Sequence, residues 1–351
     1  MIGGRDCLVG LDLGTSKIAV TAGVCLDGGW FDVRGVGLVD TRGVRAESVV
    51  DSDALTDAIA SAVGEAEFTA GMELTEVHLG LSGTHVIGVN GRGAIRANRV
   101  IDWRDVQRAV NAAAMAVPIP DGREVLHVAP QDFIVDGQDF FRHPEGLTIS
   151  SRLEARAHVI TCDAAYGRAV RNCVRRAGLD VLSTGSSLVG AGEALLTQDE
   201  KELGAAVIDI GVESAGIAVF ERGLLLHTRT LHMGRPVFTD AAAEGSDASG
   251  PEAEELCRRL FEAVPQAKHL LFAGLALTGG WSLIPDMRDV AERVFGLPVR
   301  YGRPLLAGNL WARVRGPHFA AAVGLALLAH RHGRSPVVAP RLHRPPESWT
   351  G

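Results

Sequence analysis

Two periods of apolar and polar positions run along this chain, and their order predicts its elements. Residues 7–13 form a short apolar run closed by Asp12 and Gly14, and residues 18–25 form a second. Together they read as two strands joined by a turn. A third run follows at 31–39. Behind Asp51, apolar residues fall at Leu55, Ile59, Ala62, Val63 and Ala66, three and four apart, which predicts an amphipathic helix over 51–68. The run 77–81 is the next strand and is expected to pair with 86–95 in a hairpin. A helix over 102–115 starts at the capping Asp102 and stops before Pro118. Residues 125–135 and 153–162 are strand-like, 164–177 is helical with a stop at Gly178, and another strand starts at 181–182. This middle stretch reads as a small α+β insert within a larger α/β unit.

From residue 205 the opening pattern returns. Ala206-Val-Ile-Asp209-Ile-Gly211-Val212-Glu213-Ser214-Ala-Gly216-Ile-Ala-Val219 can be laid on Val9-Gly-Leu-Asp12-Leu-Gly14-Thr15-Ser16-Lys17-Ile-Ala-Val20. Both are an apolar strand, Asp, apolar, Gly, a polar turn and Ile-Ala-Val, and a third strand follows each (224–231 in the second copy). Such a repeat implies a duplicated fold with a cleft between its halves. A loop over 244–251 comes next, then a helix over 252–264, a strand over 270–277 entering Thr278-Gly279-Gly280, a helix over 284–295 and a short strand at 299–301. An Ala/Leu helix over 320–330 contains Gly324, which suits close packing on a neighbour and an inter-lobe hinge equally. Residues 333–351 hold four prolines and no apolar periodicity and read as disordered.

Composition narrows the class. A chain of 351 residues with 46% hydrophobic residues fits two domains or one bilobed unit with real cores. Its 42 glycines have no repeat period and only 15 prolines beside them, so the excess belongs in turns. The net charge of −7 offers no basic footprint for nucleic acid. Cys7, Cys25, Cys162, Cys173 and Cys257 have the spacing of neither a zinc pair nor a disulfide scaffold and read as reduced, mostly buried thiols. Arg5 and Asp6 precede only a short apolar run, and nothing reaches ~18 uninterrupted apolar residues, so a cytoplasmic protein without a signal peptide or membrane span is expected.

Three loops carry candidate chemistry. Asp12 to Lys17 sits on a strand-to-strand turn and offers backbone N–H groups, the hydroxyls of Thr15 and Ser16 and the Lys17 ammonium, which is how a turn holds phosphate. It lacks the glycine spacing and following helix of a Walker A loop. Standing alone it would be a plain glycine hairpin; a second Asp-x-Gly at Asp209 and Gly211, facing it across a cleft, favours the phosphate reading. Two such aspartates, Asp12 and Asp209, typically hold a hydrated Mg²⁺. Thr278, Gly279 and Gly280 join a buried strand to a helix where a backbone approaches a nucleotide closely. Gln131, in a strand expected near the cleft, has an amide suited to orienting an attacking water or to a purely structural role, and Asp209 is the candidate base if the chain transfers phosphoryl groups. The twelve histidines show no metal-ligand spacing; His127, His158 and His269 read as satisfied polar residues.

These loops, in this order, resemble the actin/Hsp70/sugar-kinase superfamily and, within it, the FtsA family of bacterial cell-division proteins. The resemblance rests on Val9 to Val20, on Val125-Leu-His-Val-Ala-Pro-Gln131 with Asp132-Phe-Ile-Val-Asp136, on Ala155-Arg-Ala-His-Val-Ile-Thr-Cys162, on Glu202 to Gly211, on Leu277-Thr-Gly-Gly280 and on Ala322-Val-Gly-Leu325. It covers about residues 7–330.

It implies an α/β, actin-like (duplicated RNase H-like) two-lobed fold that binds ATP with Mg²⁺ between its lobes, polymerises, and tethers the tubulin-like FtsZ ring to the membrane while recruiting later division proteins. Carried over by position, residues 1–83 begin the first lobe (1A), 84–162 form the 1C insert, 163–190 return to the first lobe, 191–330 form the second lobe (2A), and 331–351 are a disordered tail. Asp12, Gly14, Thr15, Ser16 and Lys17 match the first phosphate loop, Asp209 and Gly211 the second, Gln131 the connecting segment, and Thr278, Gly279 and Gly280 the adenosine loop.

Three departures qualify the match. Where the family reads Asp-x-Gly-Gly-Gly-Thr, this chain has Val212 and Glu213, which put side chains where N–H groups should meet phosphate and a carboxylate where it repels one. The 2B subdomain, which helps enclose adenine and carries the FtsZ-binding surface, is reduced to about 232–270. The family's C-terminal amphipathic membrane helix is missing from 335–351, so membrane attachment needs a partner. The expectation is a division scaffold with weak or lost ATP use and at most a weak ATPase, binding FtsZ-like or other division proteins and itself, at the division site or the inner face of the membrane. The alternatives are a nucleotide-binding small-molecule kinase of the same superfamily and a pilus-assembly relative.

Overall fold

The computed structural model describes residues 7–26, 30–233, 250–264, 269–304 and 306–334. Two sheets share one ladder. In the first, Leu8–Leu13 pairs antiparallel with Lys17–Cys25, which pairs antiparallel with Phe31–Asp40. On its other edge Leu8–Leu13 runs parallel to Glu76–Leu81, and that strand runs parallel to Asp180–Ser186. The second sheet repeats the plan: Ala205–Ile210 is antiparallel to Ser214–Glu221 and this to Leu224–His232, while Leu275–Thr278 and then Val299–Tyr301 add in parallel. The repeat extends to register. Asp12 faces Ala19 across its hairpin and Gly80 on the parallel side; Asp209 faces Gly216 and Thr278. The duplicated α/β fold that the sequence repeat implies is therefore the observed one, with Leu306–Ala307 adding a sixth strand beside Phe31–Asp40.

Two helices lie between the sheets. Ala320–Arg334 packs on the first sheet and Ser187–Leu195 on the second. Leu11 and Ile18 of one sheet, Val323 and Ala326 of one helix, Ala191 of the other, and Val207 and Ala218 of the second sheet share a single core. The helices cross at Gly190 and Gly324, where a Cβ on Gly324 would lie 1.6 Å from the Gly190 carbonyl oxygen. Of the two roles open to Gly324, close packing is the one the structure shows. On the outer faces, Ser52–Ala70 covers the first sheet. It is capped by Asp51, whose carboxylate accepts from the N–H groups of Asp53 and Ala54, and it ends at left-handed Gly71. Gly250–Glu262 and Met287–Phe295 cover the second sheet.

The insert has its own core. Gln138–Phe141, Arg123–Val135, Arg152–Asp163 and Ile87–Arg96 form an antiparallel sheet in that order. Helix Trp103–Met115, held at its start by a capping box between Asp102 and Asp105, packs Ala109, Val110, Ala113 and Ala114 against it.

Several local expectations change. The strand at 86–95 does not pair with 77–81; it pairs along its length with Arg152–Asp163. Both edges of Glu76–Leu81 are already taken by parallel neighbours, which leaves no edge for 86–95 to pair with. The strand placed at 270–277 begins only at Leu275, because Gly274 turns at φ 82°. Helix 284–295 begins at Met287, after Asp286 at φ 63°. The helix expected from 252 begins at Gly250, with Pro251 in its first turn. The final helix runs past 330 to Arg334, and Arg331 pairs with Glu193 at 2.5 Å, so residues 331–334 belong to the fold and not to a tail. The loop at 244–249, most of the stretch 232–250 and residues 335–351 lie outside the described residues. No helix among the described residues is long and apolar enough to cross a membrane.

The helix crossing yields a paired prediction. Gly324→Ala must push two backbones apart and is expected to cost about 3 kcal/mol. At Gly64, exposed within Ser52–Ala70, an added methyl group would meet nothing within 4 Å, so Gly64→Ala is expected to add up to about 1 kcal/mol through helix propensity. Urea denaturation of the two variants checks both; equal midpoints would show that the crossing relaxes.

Candidate functional site

Strand ends and helix starts of both lobes build one cleft. Each lobe's first hairpin reverses in four residues: Gly14 N–H donates to the Lys17 carbonyl at 3.0 Å, and Gly211 N–H to the Ser214 carbonyl at 2.9 Å. The third strands meet these turns alike, Thr41 N–H donating to Ser16 and Met233 N–H to Glu213, each at 2.9 Å. Asp12, Gly14 to Lys17, Asp209, Gly211 and Thr278 to Gly280 all line the cleft. Its floor consists of two helix starts: Ser186 and Leu188 at Ser187–Leu195, and Pro317, His318 and Ala321 at Ala320–Arg334. Helix N-termini present unpaired N–H groups and favour an anion. Gly279, at φ 86°, leaves room for the Asp209 carboxylate, since Oδ1 would stand 2.3 Å from a Cβ there. Thr278 Oγ1 donates to the Pro317 carbonyl at 3.1 Å and ties this loop to the helix start.

The cleft is acidic at its centre. Burial pushes the Asp12 carboxyl up to about 7; the Ser187 hydroxyl, donating to Oδ1 at 2.5 Å, opposes this and the Asp209 charge adds to it. Burial likewise pushes Asp209 up to about 6. Lys17 pairs with Asp40 at the rim. Burial and then the Lys17 charge push the His318 imidazole below its usual range. Among the described residues no three His, Cys, Asp or Glu side chains converge as a metal set, so a divalent cation between the two aspartates would complete its shell from water and ligand oxygens.

Two residues stand elsewhere than expected. Gln131 is outside the cleft, buried where the insert meets the second lobe, and its amide donates to the carbonyls of Leu225 and Leu226 at 3.0 Å each. Its N–H groups thereby join the insert's strand to the second lobe. Val212 does line the cleft. Glu213 does not: its carboxylate turns away and accepts from the Glu47 N–H at 3.2 Å. Residues not anticipated include Ser187, which donates to Asp12, and Trp281, His318 and the pair Ser82-Gly83, which line the cleft. That last pair follows the strand equivalent to Leu275–Thr278, so the repeat itself was a signal for it.

Comparison with known proteins decides the family. Residues 83–161 match the model described as SHS2 domain inserted in FTSA, and residues 206–324 that described as Cell division protein FtsA. The cell division protein FtsA of Pseudomonas aeruginosa is 31% identical, over 91% of this chain and 88% of its own length. That of Escherichia coli K12 is 30% identical, over 92% and 90%. The chain belongs to the FtsA family. Among solved structures this FtsA-family chain is similar to the PilM-PilN type IV pilus biogenesis complex, with a TM-score of 0.61 and 20% identity over 92% of this chain and 98% of that one. It is also similar to the ethanolamine utilization protein EutJ of Carboxydothermus hydrogenoformans, with a TM-score of 0.54 and 17% identity over 92% and 89%. Both likenesses concern the fold, which is the actin-like one.

The cleft carboxylates set a pH-dependent stability. Between about pH 4, where an unfolded Asp titrates, and about 6, folded Asp209 keeps a proton that the unfolded chain has released. Stability therefore falls as pH rises through that window, and above it the ionised carboxylate carries its full cost. In protein free of Mg²⁺ and nucleotide, Asp209→Asn is expected to melt higher than wild type at pH 8 and to lose that margin by about pH 4. Equal melting temperatures at pH 8 would contradict the burial.

Proposed function

We propose that this chain is an actin-like scaffold of the bacterial division apparatus, linking an FtsZ-type polymer to other division proteins, and that its cleft has a weakened grip on ATP. Family membership across nine-tenths of the chain supports the first part. The second rests on one observation: the turn equivalent to Gly14-Thr15-Ser16 carries Val212 into the cleft, where a branched side chain stands against an approaching phosphate. In this reading Lys17, the first turn and the two helix starts receive phosphate, and Thr278 to Gly280 the nucleoside. Asp12 and Asp209 hold a hydrated Mg²⁺, which would neutralise both the carboxylates and the phosphate when bound. We assign 84–162 to a 1C-type recruiting insert and about 232–270 to a reduced 2B, which shifts the FtsZ contact onto other surfaces. The chain then works at the division site, at the inner face of the membrane through a partner.

Two measurements test the reading. A fluorescently tagged copy should gather at mid-cell and co-purify with division proteins; diffuse signal without such partners would sink the scaffold. Calorimetry should find no saturable Mg-ATP binding at about 0.1 mM, and Val212→Gly should tighten binding about tenfold, or 1.4 kcal/mol. Tight binding by the wild type would show an intact nucleotide site.

A further inference from the structure

The second hairpin turn reaches across the cleft. Glu213 stands where the first turn has Ser16, and its carboxylate accepts from the N–H of Glu47 in the other lobe at 3.2 Å. Glu47 lies in the tight turn between Val44–Arg45 and Ser48–Val49. Both central residues of that turn are left-handed, Ala46 at φ 47° and Glu47 at φ 55°, although neither is the glycine or asparagine such turns favour. L-residues keep this conformation only where their surroundings hold them in it.

The holders here come from the root of the insert and from the second lobe. Where the insert leaves the first lobe, Thr84 N–H donates to Glu47 Oε2 at 2.8 Å and the Thr84 hydroxyl donates to the same oxygen. His85 packs beside them, 4.0 Å from Glu47 Oε2 through Nδ1, with its ring 4.0 Å from that of Tyr166. From the second lobe, Glu213 takes the Glu47 amide. The contact is continuous with the cleft, because Gly83 and Val212, the neighbours of Thr84 and Glu213, both line it. The cleft holds about 160 Å³, low against the roughly 300–1,000 Å³ of pockets that bury small molecules, and any parting of the lobes would break the Glu47–Glu213 bond.

We propose that Glu213 and the strained Ala46-Glu47 turn form a latch that holds the lobes together without nucleotide. The proposal rests on reading this cleft as a degraded nucleotide site, and it assigns the degradation a use. An anion built into the second turn is bound by a first-lobe amide, so the chain's own carboxylate sets its closed state. Glycine at position 213 has no group that reaches Glu47.

Hydrogen exchange on the purified, nucleotide-free full chain tests this, read at residues 44–49 with helix Ser52–Ala70 as the internal control of folding. Glu213→Ala is expected to speed exchange of the residue 47 amide about tenfold or more while the helix keeps its protection. Glu213→Gln retains an acceptor oxygen and should stay within about twofold of wild type. Glu47→Ala removes the Thr84 anchor and should open the same segment, and the double variant should exchange no faster than the faster single one, as two parts of one contact do. Wild-type exchange at 44–49 in Glu213→Ala overturns the latch, as do additive effects in the double variant. No division partner enters the experiment, so diffuse localisation in cells would sink the scaffold and leave the latch standing, and the reverse holds equally.

Discussion

Gly190 and Gly324 let two helices touch backbone to backbone, and the spacing of the lobes follows from that contact. A Cβ on Gly190 would lie 2.9 Å from the Ala321 carbonyl oxygen, and one on Gly324 far closer to that of Gly190. Gly10 seats the Ala320–Arg334 helix on the first sheet in the same way, its missing Cβ leaving 1.9 Å to the Ala322 carbonyl oxygen. Each glycine inside a helix costs about 1 kcal/mol of propensity, which close packing of the shared core offsets. Because the helices cross so tightly, their first turns emerge side by side at the cleft floor. Ser187 thereby comes within 2.5 Å of Asp12, and two positive helix ends face the same space.

The walls of that space repeat in backbone and differ in side chain. Both turns close with the same N–H to carbonyl bond, yet one carries Thr15, Ser16 and Lys17 and the other Val212, Glu213 and Ser214. With Asp12 and Asp209 opposed and Lys17 drawn to Asp40 at the rim, the cleft centre disfavours a bare phosphate. A cation between the aspartates reverses that preference, so in such a cleft metal and anion bind together or weakly. The helix starts and the acidic pair pull in opposite directions, and the side chains of the second turn decide the balance.

Much of this was legible in the chain. Helix starts at Asp51 and Asp102 are local signals, because a capping side chain bonds N–H groups two or three residues on. The duplicated turns were legible because Asp12 and Asp209 recur in the same apolar frame. Strand pairing was not: nothing near 77–81 tells that both its edges are covered by strands from the chain start and from 180–186. Gln131 reads as a polar residue in a strand, but which lobe that strand edge meets depends on residues 225 and 226. The contact between Glu47 and Glu213 spans 166 positions, and the left-handed backbone that it holds has no mark in the residue types Ala and Glu.

Cleft opening has one more constraint, at the insert. The insert's chain leaves and re-enters the first lobe, where Glu124 pairs with Arg171, and it also makes polar contacts to Leu224–His232 of the second. His158 is buried between Asn90 Oδ1 at 2.6 Å and Thr228 Oγ1 at 2.8 Å. The first partner can only accept, so Nδ1 carries the proton and Nε2 accepts from the threonine. Burial, reinforced by His227 and His127, pushes this imidazole down to about 3, so the arrangement is unchanged across physiological pH. Asn90 and Gln131 add donors to the carbonyls of Leu225 and Leu226. Parting the lobes would strip the buried His158 and Gln131 of partners at a cost of about 1–3 kcal/mol each, unless the insert moves with the second lobe. The insert is thus held from both sides, by this seam to the second lobe and by Glu124 with Arg171 to the first, so parting the lobes strains one set or the other.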